Sequence, residues 1–141
     1  MTATAKASRL IPAKPVEVWE TLTSREGMKA YMMGADVEAE WRVGGQIRMH
    51  GDYNGKPFDD HGEIRSFEPW KRLSYTHVSS AAPDETHVVT VELEPRPDGT
   101  EVIITQENAD GAVHESDRRN RERYDQTWAA MLEKLEEAVI D

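Results

Sequence analysis

The chain has 141 residues, of which 38% are hydrophobic and 31% are charged. A domain of this size can bury most of the surface that its unfolded chain exposes, so we expect a single domain over residues 1–141. The net charge is −10, from 27 acidic and 17 basic side chains, and there is no cysteine. The acidic charge argues against a nucleic-acid partner, and the lack of cysteine excludes disulfides, thiol catalysis and thiolate metal sites.

The sequence gives no sign of membrane insertion or export. No apolar run approaches the roughly 18 residues that a membrane-spanning helix needs. The opening residues lack the hydrophobic centre of a signal peptide, so we expect a cytoplasmic protein. The one dense basic stretch, residues 118–123, spreads its charges around a helix and offers nucleic acid no continuous basic surface.

The first third of the chain predicts a strand followed by two short helices. Residues 6–11 read as a short strand at a sheet edge, and Pro15 suits the first position of a helix over 15–23. The buried set of this helix is either Val16, Trp19 and Leu22, or Val18 and Leu22. Ser24 is placed to cap a second helix over 25–32.

From residue 37 the hydrophobic period changes to two, which is typical of strands. We predict about six antiparallel strands joined by short turns. Asn54-Gly55 is a strong hairpin signal, whereas the polar segment 79–85 is predicted to be a loop. His61, beside two aspartates, is predicted to lie in a turn. The predicted strands cover residues 37–41, 46–53, 55–69, 71–79, 86–95 and 100–108.

A long amphipathic helix is predicted from about residue 115 to 140, with Ser116 as its cap and Asp117 in its first turn. Steps of three and four place its apolar residues on one face, namely Tyr124, Trp128, Met131, Leu132, Leu135 and Val139. A helix of roughly 24 residues would be about 36 Å long and could not bury this face alone. The preceding strands would supply the missing surface, so the fold class is α+β.

Four stretches together resemble a known family. They are IPAKPVEVWETLTS (11–24), EWRVGGQIRM (40–49), HGEIRSFEPWKRLSYT (61–76) and the closing YDQTWAAMLEKLEE (124–137). They resemble the strand-to-helix opening, the glycine-pair strand entry, the P-x-x-R-L-x-Y-T segment and the last helix of the START-like (SRPBCC) superfamily. Within it, the chain is most similar to the AHSA-like branch, named after the activator of the heat-shock protein 90 ATPase.

The resemblance implies a helix-grip fold, in which a curved antiparallel sheet of about six to seven strands wraps around the long last helix. It also implies a cavity between helix and sheet that suits a hydrophobic small molecule. The family commonly has tryptophan after the Tyr-Thr pair, where this chain has His77. By strand alternation, His77 faces the same side as Leu73 and Tyr75.

Aromatic residues and methionines dominate the set that we assign to this cavity, as suits an adaptable apolar pocket. The same residues would also serve as an ordinary filled core. The assigned residues are Tyr31, Met32, Trp41, Met49, Ile64, Tyr75, His77, Val89, Val91, Tyr124, Trp128 and Met131.

Two histidines, His77 and His87, lie on strands that we expect to pair, with both rings on the apolar face. Such a pair could bind a metal, exchange protons near neutral pH or simply be hydrogen-bonded in the interior. The sequence fixes no third metal ligand; Gln106, Asp52 and Glu63 are the candidate neighbours. We therefore predict no metal, no cofactor and no catalytic residue, and no nucleophile elbow, P-loop or dinucleotide motif is present.

Three functions follow in order of preference. The first is non-catalytic binding of a lipid-, polyketide- or aromatic-like molecule in the cavity. The second is a small aromatase/cyclase- or hydrolase-like enzyme that uses Tyr75, His77 or His87 in the same cavity. The third is a chaperone-interaction module, which fold resemblance alone does not establish. An exposed edge strand, such as the first, could also pair across a homodimer.

Overall fold

The computed structural model describes residues 3–32, 34–53, 55–80 and 82–140. Its described elements form a seven-stranded sheet, two short helices after the first strand and a long final helix, which confirms the predicted α+β helix-grip class. In chain order they are β1 (Ala3–Ile11), α1 (Pro15–Leu22), α2 (Arg25–Tyr31), β2 (Asp36–Ala39), β3 (Gln46–Tyr53), β4 (Lys56–Glu68), β5 (Arg72–Ser79), β6 (Ala82–Arg96), β7 (Gly99–Asn108) and α3 (Glu115–Ile140).

All neighbouring strands are antiparallel, in the order β1-β7-β6-β5-β4-β3-β2, so β1 and β2 form the two edges. None of the described helices is long and apolar enough to cross a membrane. The core packs between the sheet and the three helices.

The local signals before the sheet act largely as expected. Pro15 begins α1, and the Ser24 hydroxyl caps α2 by accepting a hydrogen bond of 2.9 Å from the Gly27 amide. Val18, Trp19 and Leu22 are buried, whereas Val16 is 37% exposed. The inner face of α1 therefore combines the two predicted alternatives, because Val18 belongs to one and Trp19 to the other.

The sheet is longer than its hydrophobic pattern indicates. β1 begins at Ala3, and β6 begins at Ala82, inside the segment that was predicted to be a loop. The loop prediction was wrong at Ala82, which pairs with Ser79 of β5; the register then shifts, skipping residues 83–85, and regular pairing resumes at Thr86 opposite Val78. His61 lies within β4 and not in a turn. In the predicted Asn54-Gly55 turn, Gly55 has a φ of +80°, and Asn54 lies outside the described residues.

The first turn of α3 is capped by Asp117 and not by Ser116. The Asp117 Oδ2 atom accepts a hydrogen bond of 2.8 Å from the His114 amide and another of 2.8 Å from Asn108 Nδ2 on β7. Asp117 is only 5% exposed. Its carboxylate therefore both satisfies an amide at the helix start and joins this end of α3 to the sheet.

The second half of α3 packs more tightly than the first. Leu132 and Leu135 are buried in the core, and after Asp117 they are the first fully buried residues of the helix. Trp128 and Met131 pack against the core with partial exposure, and Tyr124 is also only partly buried. The stretch between Asp117 and Leu132, which we call the looser stretch, is held to the sheet by polar contacts such as Trp128–Gln106 but contains no fully buried residue.

Side chains of α3 also reach the outer edge of β1. The Asp125 carboxylate accepts a hydrogen bond of 2.8 Å from the Lys6 amide, and Arg121 donates one of 3.1 Å to the Ala3 carbonyl. Because these backbone groups are already bonded, the edge is less available for strand pairing with a second copy than we expected.

Candidate functional site

The twelve residues assigned to a cavity fall into two groups. Seven are buried in the hydrophobic core, namely Tyr31, Met32, Met49, Ile64, Tyr75, Val89 and Val91. The other five are only partly buried, namely Trp41, His77, Tyr124, Trp128 and Met131. Trp41 packs on Phe67 away from the others, with a ring separation of 6.1 Å, while Tyr124, Trp128 and Met131 lie on the looser stretch of α3.

Two open pockets flank the beginning of α3. The larger, which we call the mouth pocket, has a volume of about 520 Å³ and lies between the ends of β6 and β7 and the first turns of the helix. Of the predicted cavity set, Tyr124 lines it. Its lining residues are Asp84, Glu85, Thr86, Asn108, Ala109, Asp110, His114, Ser116, Asp117, Asn120 and Tyr124. The smaller pocket, of about 210 Å³, lies between β1 and residues 113–121.

A row of polar side chains crosses the helix-facing side of the sheet at this end. His77 lies directly opposite His87, as predicted, and His87 lies opposite Asn108, which bonds to Asp117 on α3. The next row inward is mostly apolar and consists of Ile64, Tyr75, Val89, Gln106 and Ala5. The polar row therefore separates the mouth pocket from the apolar interior.

The partner of His77 is Asp60, which sequence reasoning missed. His77 Nε2 and Asp60 Oδ2 are 2.9 Å apart, and the other carboxylate oxygen of Asp60 accepts a hydrogen bond from the Ser80 amide. The candidate neighbours Asp52 and Glu63 make no such contact in the described structure. The sequence signal that could have revealed this partner was the alternation of side chains along a strand, because Asp60 and the apolar Ile64 are four residues apart and so share a strand face.

His87 is half-buried and makes no hydrogen bond to another described residue. Burial lowers the pKa of His87, and the neighbouring His77 lowers it further. His87 is therefore held neutral near pH 7, with one nitrogen able to donate and the other able to accept.

Gln106 and Trp128 tie the middle of α3 to the sheet. The Trp128 indole donates a hydrogen bond of 3.0 Å to Gln106 Oε1, and the amide nitrogen of Gln106 donates to the Thr4 hydroxyl at 3.2 Å. Both ends of the Gln106 amide thus make structural hydrogen bonds that join α3, β7 and β1.

Two buried tyrosines differ in how their hydroxyls are satisfied. The Tyr31 hydroxyl donates a hydrogen bond of 3.1 Å to the Leu22 carbonyl. The Tyr75 hydroxyl has no hydrogen-bond partner among the described residues, although Tyr75 is only 3% exposed. Burial raises the pKa of both phenols, so both stay protonated at physiological pH.

One cluster with metal-ligand chemistry lies elsewhere, on the exposed β2 edge. Ligand atoms of Asp36, Glu38 and His50 lie within 4.8 Å of one another. Arg25 already occupies this cluster, with distances of 2.7 Å to Asp36 and 3.6 Å to Glu38, and it lowers the pKa of Asp36. The guanidinium supplies the positive charge that a metal would bring, so the cluster is an ion-pair network.

The architecture places the chain in the class of helix-grip proteins, and solved structures share it. Protein MLL2253 from Mesorhizobium loti aligns with 27% identity and a TM-score of 0.78, covering 96% of this chain and 95% of that one. ChR145 from Cytophaga hutchinsonii aligns with 33% identity and a TM-score of 0.74, covering 94% and 90%. SA2116 from Staphylococcus aureus, described as a protein of unknown function, has 18% identity, a TM-score of 0.77 and coverage of 96% and 91%, so it supports the fold alone.

The family model described as "Activator of Hsp90 ATPase homolog 1-like protein" matches residues 12–139. The chain therefore belongs to the AHSA1-like family of the SRPBCC superfamily, as its motifs predicted. No curated protein matches the chain.

Proposed function

We propose that this chain binds a hydrophobic small molecule, without converting it, in the space between the first half of α3 and the sheet. The observation that carries the proposal is the uneven packing of α3. Between Asp117 and Leu132 the helix is held to the sheet by hydrogen bonds such as Trp128–Gln106, but none of its residues is fully buried. Tyr124 in this stretch is partly accessible and lines the mouth pocket.

The proposed route into this space begins at the mouth pocket and passes the polar row. Beyond that row lie Tyr75, Val89 and Val91, which offer an apolar surface to the body of a ligand. The mouth pocket, at about 520 Å³, is open and mostly polar, so in this proposal it is the entrance, and the apolar lining of the site is supplied by the residues beyond it. Methionines 32, 49 and 131 can change rotamer to fit a guest, because their side chains are long and unbranched.

The first test is native mass spectrometry of the purified protein, followed by denaturing extraction and identification of any compound that travels with it. The second test adds acetylnaphthalene and measures binding to the wild type, to Val91→Trp and to Val43→Trp. Val91 is a buried residue that we propose lines this space, whereas Val43 is 63% exposed and serves as the control.

Val91→Trp should abolish binding because the indole occupies the volume, and Val43→Trp should bind as the wild type does. Overpacking at a buried valine costs roughly 1–3 kcal/mol, so Met131→Trp, which fills the space from the partly exposed helix side, provides a second variant. Unchanged affinity in both filled variants would overturn the site assignment.

A second candidate, a small enzyme, is favoured by the Asp60–His77 hydrogen bond beside a neutral His87. An imidazole oriented by a carboxylate is a plausible general base when a substrate proton lies within hydrogen-bond reach. This candidate predicts a pH-dependent turnover of a hydrophobic ester or carbonyl compound that His77→Ala removes. Turnover that survives His77→Ala would contradict it.

A further inference from the structure

The Tyr75 hydroxyl is the starting point, because burying a hydroxyl without a partner is costly. In the described part of the chain, every fully buried side-chain nitrogen or oxygen has a hydrogen-bond partner. Since the Tyr75 oxygen has none there, it is not fully sealed by neighbouring atoms and keeps a small accessible area. The contrast with Tyr31, whose hydroxyl is bonded to Leu22, marks Tyr75 as a donor without a structural role.

The polar neighbours of Tyr75 are engaged elsewhere. Burial raises the pKa of the Tyr31 phenol, and Tyr75 is near enough to raise it further. The Tyr31 hydroxyl nevertheless donates to the Leu22 carbonyl and is not hydrogen-bonded to Tyr75. Directly across the two adjacent strands lie Ile64 and Val89, both apolar. The polar residue farther along this row, Gln106, is occupied by Trp128 and Thr4. The Tyr75 hydroxyl therefore faces mostly apolar surroundings, in the row of residues next to the polar row of His77, His87 and Asn108.

Charge at the entrance limits what can reach this donor. The mouth pocket is lined by four carboxylates, and its described lining includes no lysine or arginine. A carboxylate or phosphate group would be repelled there and would find no cation to pair with inside. A neutral oxygen carries neither penalty.

We propose that Tyr75 is the internal anchor of the ligand and that its hydroxyl donates a hydrogen bond to a neutral carbonyl or hydroxyl oxygen on an otherwise apolar molecule. This inference rests on the proposed function and specifies its ligand class as hydrophobic ketones, aldehydes, alcohols or uncharged esters. Fatty-acid anions and pure hydrocarbons are disfavoured, the former by charge and the latter because the phenol stays unpaired.

The test compares two probes of nearly equal shape, acetylnaphthalene and ethylnaphthalene, which differ in one carbonyl oxygen. Their dissociation constants are measured by calorimetry for the wild type, Tyr75→Phe and Tyr31→Phe. Tyr75→Phe should weaken acetylnaphthalene about tenfold, the value of one buried hydrogen bond, and leave ethylnaphthalene within about twofold. Tyr31→Phe, the matched control, should change the two probes equally.

A second readout is the carbonyl stretching band of bound acetylnaphthalene, compared between the wild type and Tyr75→Phe. When bound, the carbonyl stretching band of acetylnaphthalene should move to lower frequency than in a hydrocarbon solvent, because hydrogen bonding weakens the C=O bond. In Tyr75→Phe the band should return to its hydrocarbon position.

The outcomes separate the two proposals. If the wild type binds both probes and Tyr75→Phe changes neither their ratio nor the carbonyl band, the anchor is wrong while ligand binding stands. If the wild type binds neither probe, the proposed function fails, and the anchor fails with it.

Discussion

Replacing Asp117 with alanine should loosen the attachment of α3 to the sheet. The carboxylate is 5% exposed and bonds both the His114 amide and Asn108 Nδ2, each at 2.8 Å. Asp117→Ala removes both bonds at once. Asn108 keeps its second bond, to the Ala112 carbonyl, so its amide is not left wholly unpaired.

The expected loss follows from these two contacts. A lost helix cap costs about 1 kcal/mol, and a hydrogen bond to a charged group costs about 1.5 kcal/mol more. The sum of about 2.5 kcal/mol should lower the melting temperature by roughly 5–10 °C for a domain of this size.

Urea unfolding of the wild type, Asp117→Ala and Ser116→Ala measures this loss directly. Ser116 is exposed, and its side chain makes no hydrogen bond to a described residue, so Ser116→Ala should stay within about 0.5 kcal/mol of the wild type. Hydrogen exchange should speed up in the first turns of α3 in Asp117→Ala and not around Leu132. If Asp117→Ala is as stable as Ser116→Ala, the assignment of the cap is wrong.

Three further outcomes are expected. Tyr31→Phe should lower the free energy of unfolding in urea by about 1–2 kcal/mol because the Leu22 carbonyl loses its donor, whereas Tyr75→Phe should be neutral or slightly stabilising. Equal losses of stability would contradict the difference between the two hydroxyls. Gly62→Ala should cost about 3 kcal/mol or prevent folding, because its Cβ would overlap the Thr76 carbonyl, and Gly51→Ala, with more room, should cost less. The free energy of unfolding of the wild type should fall as pH drops below 6.5, the ordinary pKa of histidine, because His87 binds a proton more readily in the unfolded chain than in the folded one. The fall should be smaller in His87→Gln, and identical pH profiles for the two proteins would contradict this.

The periodic spacing of hydrophobic residues along the chain was enough to predict most of the fold. The 26 residues of α3 and the pairing of His77 with His87 followed from steps of three, four and two, because both depend on local geometry. The start of β6 was missed because it contains a register shift, in which residues 83–85 are skipped between the Ala82 and Thr86 pairs, and these residues carry no apolar period.

The polar part of the site was harder to predict. The contact between Asp60 and His77 joins two strands across a hairpin, close to a register shift between Ile64 and Ser66 that the sequence does not reveal. The free hydroxyl of Tyr75 depends on what its neighbours bond to, which no spacing encodes. Nor does composition indicate which stretch of α3 packs loosely.

The central claim, binding between the first half of α3 and the sheet, is tested most directly by proton NMR of the tryptophan indoles. Acetylnaphthalene is titrated while the indole signals are followed, with Trp128→Phe and Trp70→Phe used to assign them. The Trp128 signal should shift, because its indole is bonded to Gln106 beside the proposed site, and that of the 54% exposed Trp70 should not. A saturating shift at Trp70 alone, or no shift at any indole, would contradict the claim.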